Sequence, residues 1–170
     1  MSTPSTQPTS PRWKGWLRDA VIILVIILAV RAWQHQDVVT GEPPALAGVS
    51  LTGQPIALSD FAGQPLLIHF FAPWCPVCVA NHGNITHIAG HYPVLMIVVQ
   101  TEADELAQWL ADHPEDNPAL MMNDPDGKWL AAFGAKALPT SVFINSEGKI
   151  STTELGYIST IGLWLRFLWS

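Results

Sequence analysis

An apolar run, Pro65-Leu-Leu-Ile-His-Phe-Phe-Ala72, ends just before Trp74-Cys75-Pro76-Val77-Cys78. The run shows no polar alternation, so it reads as a central strand covered on both faces. Such a strand needs helices packed on its sheet, which restricts the chain to an α/β arrangement. The cysteine pair follows and opens a helix to about Gly90. Cys75 and Cys78 are the only cysteines in 170 residues, too few for a disulfide framework. They also fall short of the four ligands of a structural zinc site. A closely spaced dithiol at a helix start is therefore read as a redox device.

The remaining pattern extends the same architecture. A short β-element over residues 49–58 is broken by Gly53, and 59–64 form a turn. Residues 94–99 make a second buried strand, with Met121-Met122 as further strand core. Thr101 and Asp104 give a capping-box-like start to a helix with Leu106, Trp109 and Leu110 on its apolar face. Asp124-Pro-Asp-Gly127 is a turn before a short helix over 128–133, which Gly134 ends. Residues 140–144, 145–148 and 149–153 read as strand, turn and strand, and 161–169 as a last apolar helix. Trp164, Phe167 and Trp169 of that segment are expected to pack on the sheet rather than touch the bilayer, which the segment is too short to span.

The N-terminus has a different character. Residues 1–15 form a polar tail, rich in Ser, Thr and Pro up to residue 11, and expected to be disordered and cytoplasmic. Residues 16–33 contain the uninterrupted apolar run 20–30, and are expected to be a transmembrane signal anchor rather than a cleaved signal peptide. Three basic residues precede the run and one follows it, so the positive-inside rule exports the rest of the chain. Residues 34–44, with Pro43-Pro44, read as a linker to a domain over 45–170. From residue 34 onward thirteen acidic residues face four basic ones, which excludes a nucleic-acid partner.

Several separated segments resemble the thioredoxin fold, and within it the exported, membrane-anchored TlpA-like branch. They are Leu58-Ser-Asp-Phe-Ala-Gly-Gln-Pro65, Trp74-Cys-Pro-Val-Cys78, Asp124-Pro-Asp-Gly127, Phe133-Gly134, Leu138-Pro-Thr140, Phe143-Ile144 and Gly148. The short length and the Pro-Val dipeptide look most like the thioredoxin-like member of the suppressor-of-copper-sensitivity set. The resemblance implies a central mixed sheet flanked by helices, with an N-terminal β-extension. It also implies a cis peptide before Pro139, and a Leu138 backbone that binds extended substrate. Reductive members often carry a Glu three residues after the second cysteine, and this chain has Asn81 there.

The chemistry follows from the dithiol. Cys75, at the helix N-terminus, is the expected nucleophile, because backbone N–H groups and the helix dipole favour a thiolate there. Cys78, one turn on, resolves the mixed disulfide. Pro76 suits the first helical turn, and Trp74 is expected to pack over the site. His69 lies six residues before Cys75, where many thioredoxin-like proteins bury an acid. It is either a neutral proton relay for Cys78 or a core histidine satisfied by one hydrogen bond. His82, His87 and His91 are expected to be exposed on the active-site helix, with no metal bound.

These readings point to a membrane-tethered thiol–disulfide oxidoreductase of a bacterial periplasm. It would need no cofactor beyond the Cys75–Cys78 disulfide. It would reduce exported proteins' disulfides with thiol electrons from a membrane donor, in a copper-tolerance or cytochrome c maturation context. The alternatives are a thiol oxidant and a copper-binding or copper-delivery module on the same fold.

Overall fold

The computed structural model describes residues 13–35 and 38–169, which divide between two units, 1–36 and 37–170. Among the described residues the first unit is one helix, α1 (Trp13–His35). Its apolar side chains Val21, Ile22, Ile23, Leu24, Val25 and Ile26 are exposed. The transmembrane span expected over residues 16–33 needs correction, because no helix among the described residues is long and apolar enough to cross a membrane. Arg18, Asp19 and Arg31 confine the uncharged run to residues 20–30. At 1.5 Å per residue that run covers about 16 Å of a hydrocarbon core roughly 30 Å thick. Helix also begins at Trp13, inside the tail expected over 1–15, and residues 1–12 lie outside the described residues.

The second unit is an α/β domain built on one mixed sheet. β1 (Ala47–Val49) and β2 (Pro55–Ala57) form an antiparallel hairpin, with Gly53 at φ +82° in its turn. The sheet contains β3 (Leu66–Phe71), β4 (Val94–Val99), β5 (Met121–Asp124), β6 (Thr140–Ile144) and β7 (Ile150–Leu155), in the order β5-β4-β3-β6-β7. β3–β4 and β4–β5 pair parallel, whereas β3–β6 and β6–β7 pair antiparallel. Every residue of β3, β4 and β6 is buried, as the absence of polar alternation requires.

Each face of the sheet carries its own apolar layer. One holds α2 (Pro76–Ala89), α3 (Ala103–Asp112) and α5 (Thr160–Phe167). There Leu67 and Phe71 of β3 meet Cys78, Ile85, Trp109 and Leu163. The other holds the hairpin and the short helix α4 (Lys128–Ala132), with Ile68 and Phe70 against Ile56 and Phe133. Phe167 stacks on Tyr92 at 4.0 Å and meets Phe143 edge-on, so α5 packs on the sheet as expected, although Trp169 is exposed.

Local details depart from the sequence pattern for identifiable reasons. Thr101 does not cap α3, because its hydroxyl donates to the Val99 carbonyl at 2.9 Å, and Glu102 occupies the cap position. The segment expected as a linker over 34–44 begins inside α1 and is docked further on. Val39 N–H donates to the Phe133 carbonyl at 3.2 Å, and Gly41 bridges to Ile150. Residues 36 and 37 of that segment lie outside the described residues.

Candidate active site

β3 leads into the turn that presents the dithiol, and Cys75 is the N-cap residue of α2. Its extended backbone, φ −92° and ψ 110°, turns the chain into the helix. Pro76 at the first helical position removes an N–H that would have no intrahelical acceptor. Cys75 Sγ accepts a hydrogen bond from the Cys78 N–H at 3.3 Å, so sulfur does the work of a capping oxygen. A thiolate at that atom would receive the same N–H as a charge-assisted bond.

Cys75 and Cys78 are not joined by a disulfide in this structure. Cys78 is 1% exposed and lies in the apolar layer with Phe71 and Ile85, whereas Cys75 is 7% exposed at its edge. Burial, and after it the hydrogen bond with Cys75, pushes the Cys78 thiol up to about 12. Cys78 therefore stays protonated at neutral pH, which suits a residue that acts second.

Around the pair lie exposed apolar groups. Trp74 is half exposed, and its Nε1 donates to the Gln100 carbonyl at 3.0 Å, which fixes the ring beside the end of β4. Gln100 adopts φ +49° at that point. Val77 is also exposed. The Leu138–Pro139 peptide is cis, Pro139 is buried, and Thr140 Oγ1 donates to the Ala137 carbonyl at 2.7 Å. Leu138 packs against the layer that contains both cysteines.

His69 sits on the dithiol face of β3, as alternation with Leu67 and Phe71 requires. Its register partner on β6 is Ser141, and its Nδ1 lies 3.0 Å from Ser141 Oγ. Burial, reinforced by the nearby His82 imidazole, lowers its pKa to about 3. The ring is neutral at working pH, as expected, but the same burial makes it a weak base.

Two further residues of α2, Asn81 and His82, are buried. Asn81 is a tie between elements: its Oδ1 accepts from the Ile158 N–H at 3.1 Å, just before α5. Asn84 reinforces the tie through the Ile158 carbonyl and Thr160 Oγ1. His82 is buried, not exposed, because it lies one turn after Cys78 on the inward face, three residues before Ile85. The spacing 78–82–85 carried that signal. His87 and His91 are exposed, as expected, with ring centroids 5.5 Å apart.

A dithiol at a helix N-terminus, a buried second sulfur and a cis-proline loop on a mixed sheet define a thioredoxin-like thiol–disulfide oxidoreductase. Redoxin is the family that matches, over residues 35–161, and the chain belongs to it. Among its relatives is the thiol:disulfide interchange protein DsbE of Xylella fastidiosa, 30% identical over 151 residues, or 82% of this chain and 76% of the relative. The soluble secreted antigen MPT53 of Mycobacterium bovis is 27% identical over 130 residues, 76% of this chain and 75% of its own length. The exposed lipoprotein thioredoxin of Streptococcus pneumoniae superposes with a TM-score of 0.62 at 25% identity, covering 75% of this chain and 100% of that one. The chain is accordingly an enzyme of thiol–disulfide exchange, and its substrates are thiols and disulfides.

The His69 shift sets a pH dependence. Its folded pKa lies below the ordinary histidine value of 6.5, so unfolding lets the ring take up a proton. Its contribution is therefore complete above pH 6.5 and declines as pH falls toward 3, by up to about 1.4 kcal/mol per unit. His69→Asn should show a shallower loss of stability than wild type between about pH 6 and pH 4 in urea titrations. Equal slopes would show that His69 does not titrate as a buried neutral ring.

Proposed function

We propose that the protein is an extracytoplasmic reductase that acts on disulfides of exported proteins. The observation that carries this reading is the bare first turn of α2. Pro76 and Val77 add no cation or imidazole beside Cys75, whose Sγ receives the Cys78 N–H. A strongly stabilised thiolate favours the reduced enzyme and makes an oxidant, so a modestly stabilised one leaves a more reducing pair. Secretion of the MPT53 relative supports a location outside the cytoplasm.

In this reading Cys75 thiolate attacks one sulfur of the partner's disulfide, and the other partner sulfur leaves as a thiolate. Cys78 then attacks Cys75 Sγ and releases the second partner sulfur. Two electrons pass to the partner, which gains two thiols, and the enzyme becomes a Cys75–Cys78 disulfide. No further cofactor is required, because the electrons reside on sulfur throughout. Trp74, Pro76 and the Leu138–Pro139 loop bind the substrate segment, with Leu138 offering backbone contacts to an extended chain.

Return of the dithiol to its reduced form requires a thiol donor, which we place at the membrane. The exposed apolar side chains of α1 support tethering of the chain there, and a tether raises the donor's effective concentration. His69 acts in the resolving step as a neutral polar group on the dithiol face. His69→Ala should then slow release of partners from Cys75 while leaving the first attack near its wild-type rate. Unchanged rates with lowered stability would make it a core histidine held by Ser141.

The direct test is the redox state of the dithiol in cells, read by alkylation of trapped thiols. A reductase is expected to stand mostly reduced and to become oxidised when the membrane donor is deleted. A dithiol that is oxidised in wild-type cells, and that forms disulfides in a reduced secreted substrate, would overturn the reading.

A further inference from the structure

Behind the active-site helix lies a second cluster that thiol chemistry does not use. Among the described residues, His82, His113 and Glu115 form the one group of three or more His, Cys, Asp or Glu side chains able to hold a metal ion. One candidate ligand atom from each lies within 4.8 Å of the others. His82 comes from α2. His113 caps the C-terminus of α3, and a backbone bond from Asp116 N–H to the His113 carbonyl folds residues 113–116 into a turn against it.

The donor set is prepared for coordination. His113 Nδ1 lies 3.0 Å from the Trp109 carbonyl oxygen. A carbonyl only accepts, so the proton sits on Nδ1 and Nε2 keeps its lone pair. That is the orienting contact metal-bound histidines use. The ring is held further by stacking on Trp109 at 3.8 Å and by an edge contact with His82 at 4.6 Å.

His82 and Asp116 supply the second, independent observation. Both are more than nine-tenths buried. Asp116 Oδ2 accepts from Trp109 Nε1 at 2.9 Å, which leaves Oδ1. That Oδ1 lies 3.2 Å from His82 Nε2, yet the two are not aligned as a hydrogen bond, and both atoms are buried without a hydrogen-bond partner. Unpartnered buried polar atoms are costly and need an explanation. Glu115 Oε1 lies 3.5 Å from the same His82 Nε2. Ligands about 2.0–2.1 Å from a tetrahedral zinc ion stand roughly 3.3 Å from each other, which is the spacing of these pairs.

We propose that His82, His113 and Glu115 form a three-ligand site for a divalent transition-metal cation of the zinc type, with Asp116 Oδ1 beside His82 at its buried edge. Two imidazoles and a carboxylate suit a borderline cation and disfavour calcium or magnesium, which take oxygen ligands. Glu115 is half exposed and gives the ion its way in from solvent. A bound ion joins α2, one turn below Cys78, to the connection between α3 and β5.

The test uses the full chain with its dithiol oxidised to the disulfide, so that the cysteines offer no thiolate. Titration with Zn²⁺, and with Co²⁺ as a spectroscopic probe, should show one ion per chain and the visible bands of tetrahedral cobalt. His113→Gln and Glu115→Gln, both outside the apolar core, should each weaken binding more than about tenfold. His82→Gln should do the same, while His87→Gln and His91→Gln should not. Uptake only by the reduced protein, or an affinity unchanged by His113→Gln and Glu115→Gln, would overturn the site.

Discussion

Desolvation of the Cys78 thiol beneath the first turn of α2 is the interaction on which the redox chemistry depends. β3 is buried on both faces and delivers the chain to the C-terminal end of the central strand at Ala72. Cys75 caps α2, so its sulfur stays at the rim, and helical geometry turns Cys78 into the layer between α2 and β3. The two thiols are thereby divided by environment. One lies at the rim, 7% exposed, and accepts the Cys78 N–H, and the other is pushed up to about 12 by burial. In our reading the order of attack and resolution follows from that division, with no charged residue required in the Pro-Val dipeptide.

What the sequence disclosed depended on how local the determining physics is. β3, β4 and β6 were legible because six or five successive buried residues leave no polar alternation. The dithiol, Pro76 at the helix start and the Met121-Met122 strand core were legible for similar reasons. Thr101 misled because a hydroxyl can serve the preceding carbonyl as readily as the following helix, and tertiary placement decides between them. His82 misled because the histidines of α2 were judged by type, when spacing from Cys78 placed one of them inward. The partners of His82 come from residues 113–116, and no pattern within α2 announces them.

The departure at Asn81 acquires a physical meaning from the fold. A carboxylate at that position would stand on the buried face of α2. Here the side chain carries no charge, and its oxygen accepts from the Ile158 N–H, which ties α2 to the entry of α5. With Asn81 uncharged and His69 neutral and weakly basic, neither of these two side chains readily accepts a full proton from Cys78. In our reading, Cys78 becomes reactive when the mixed disulfide makes Cys75 an electrophile, not through a resident strong base.

The division of labour between the two sulfurs is the central claim, and trapping measures it directly. Full-length Cys78→Ala should accumulate mixed disulfides with exported proteins through Cys75, reversible by reductant and absent from Cys75→Ala. Adducts that form equally well through Cys78 in Cys75→Ala, or that fail to persist in Cys78→Ala, would contradict it.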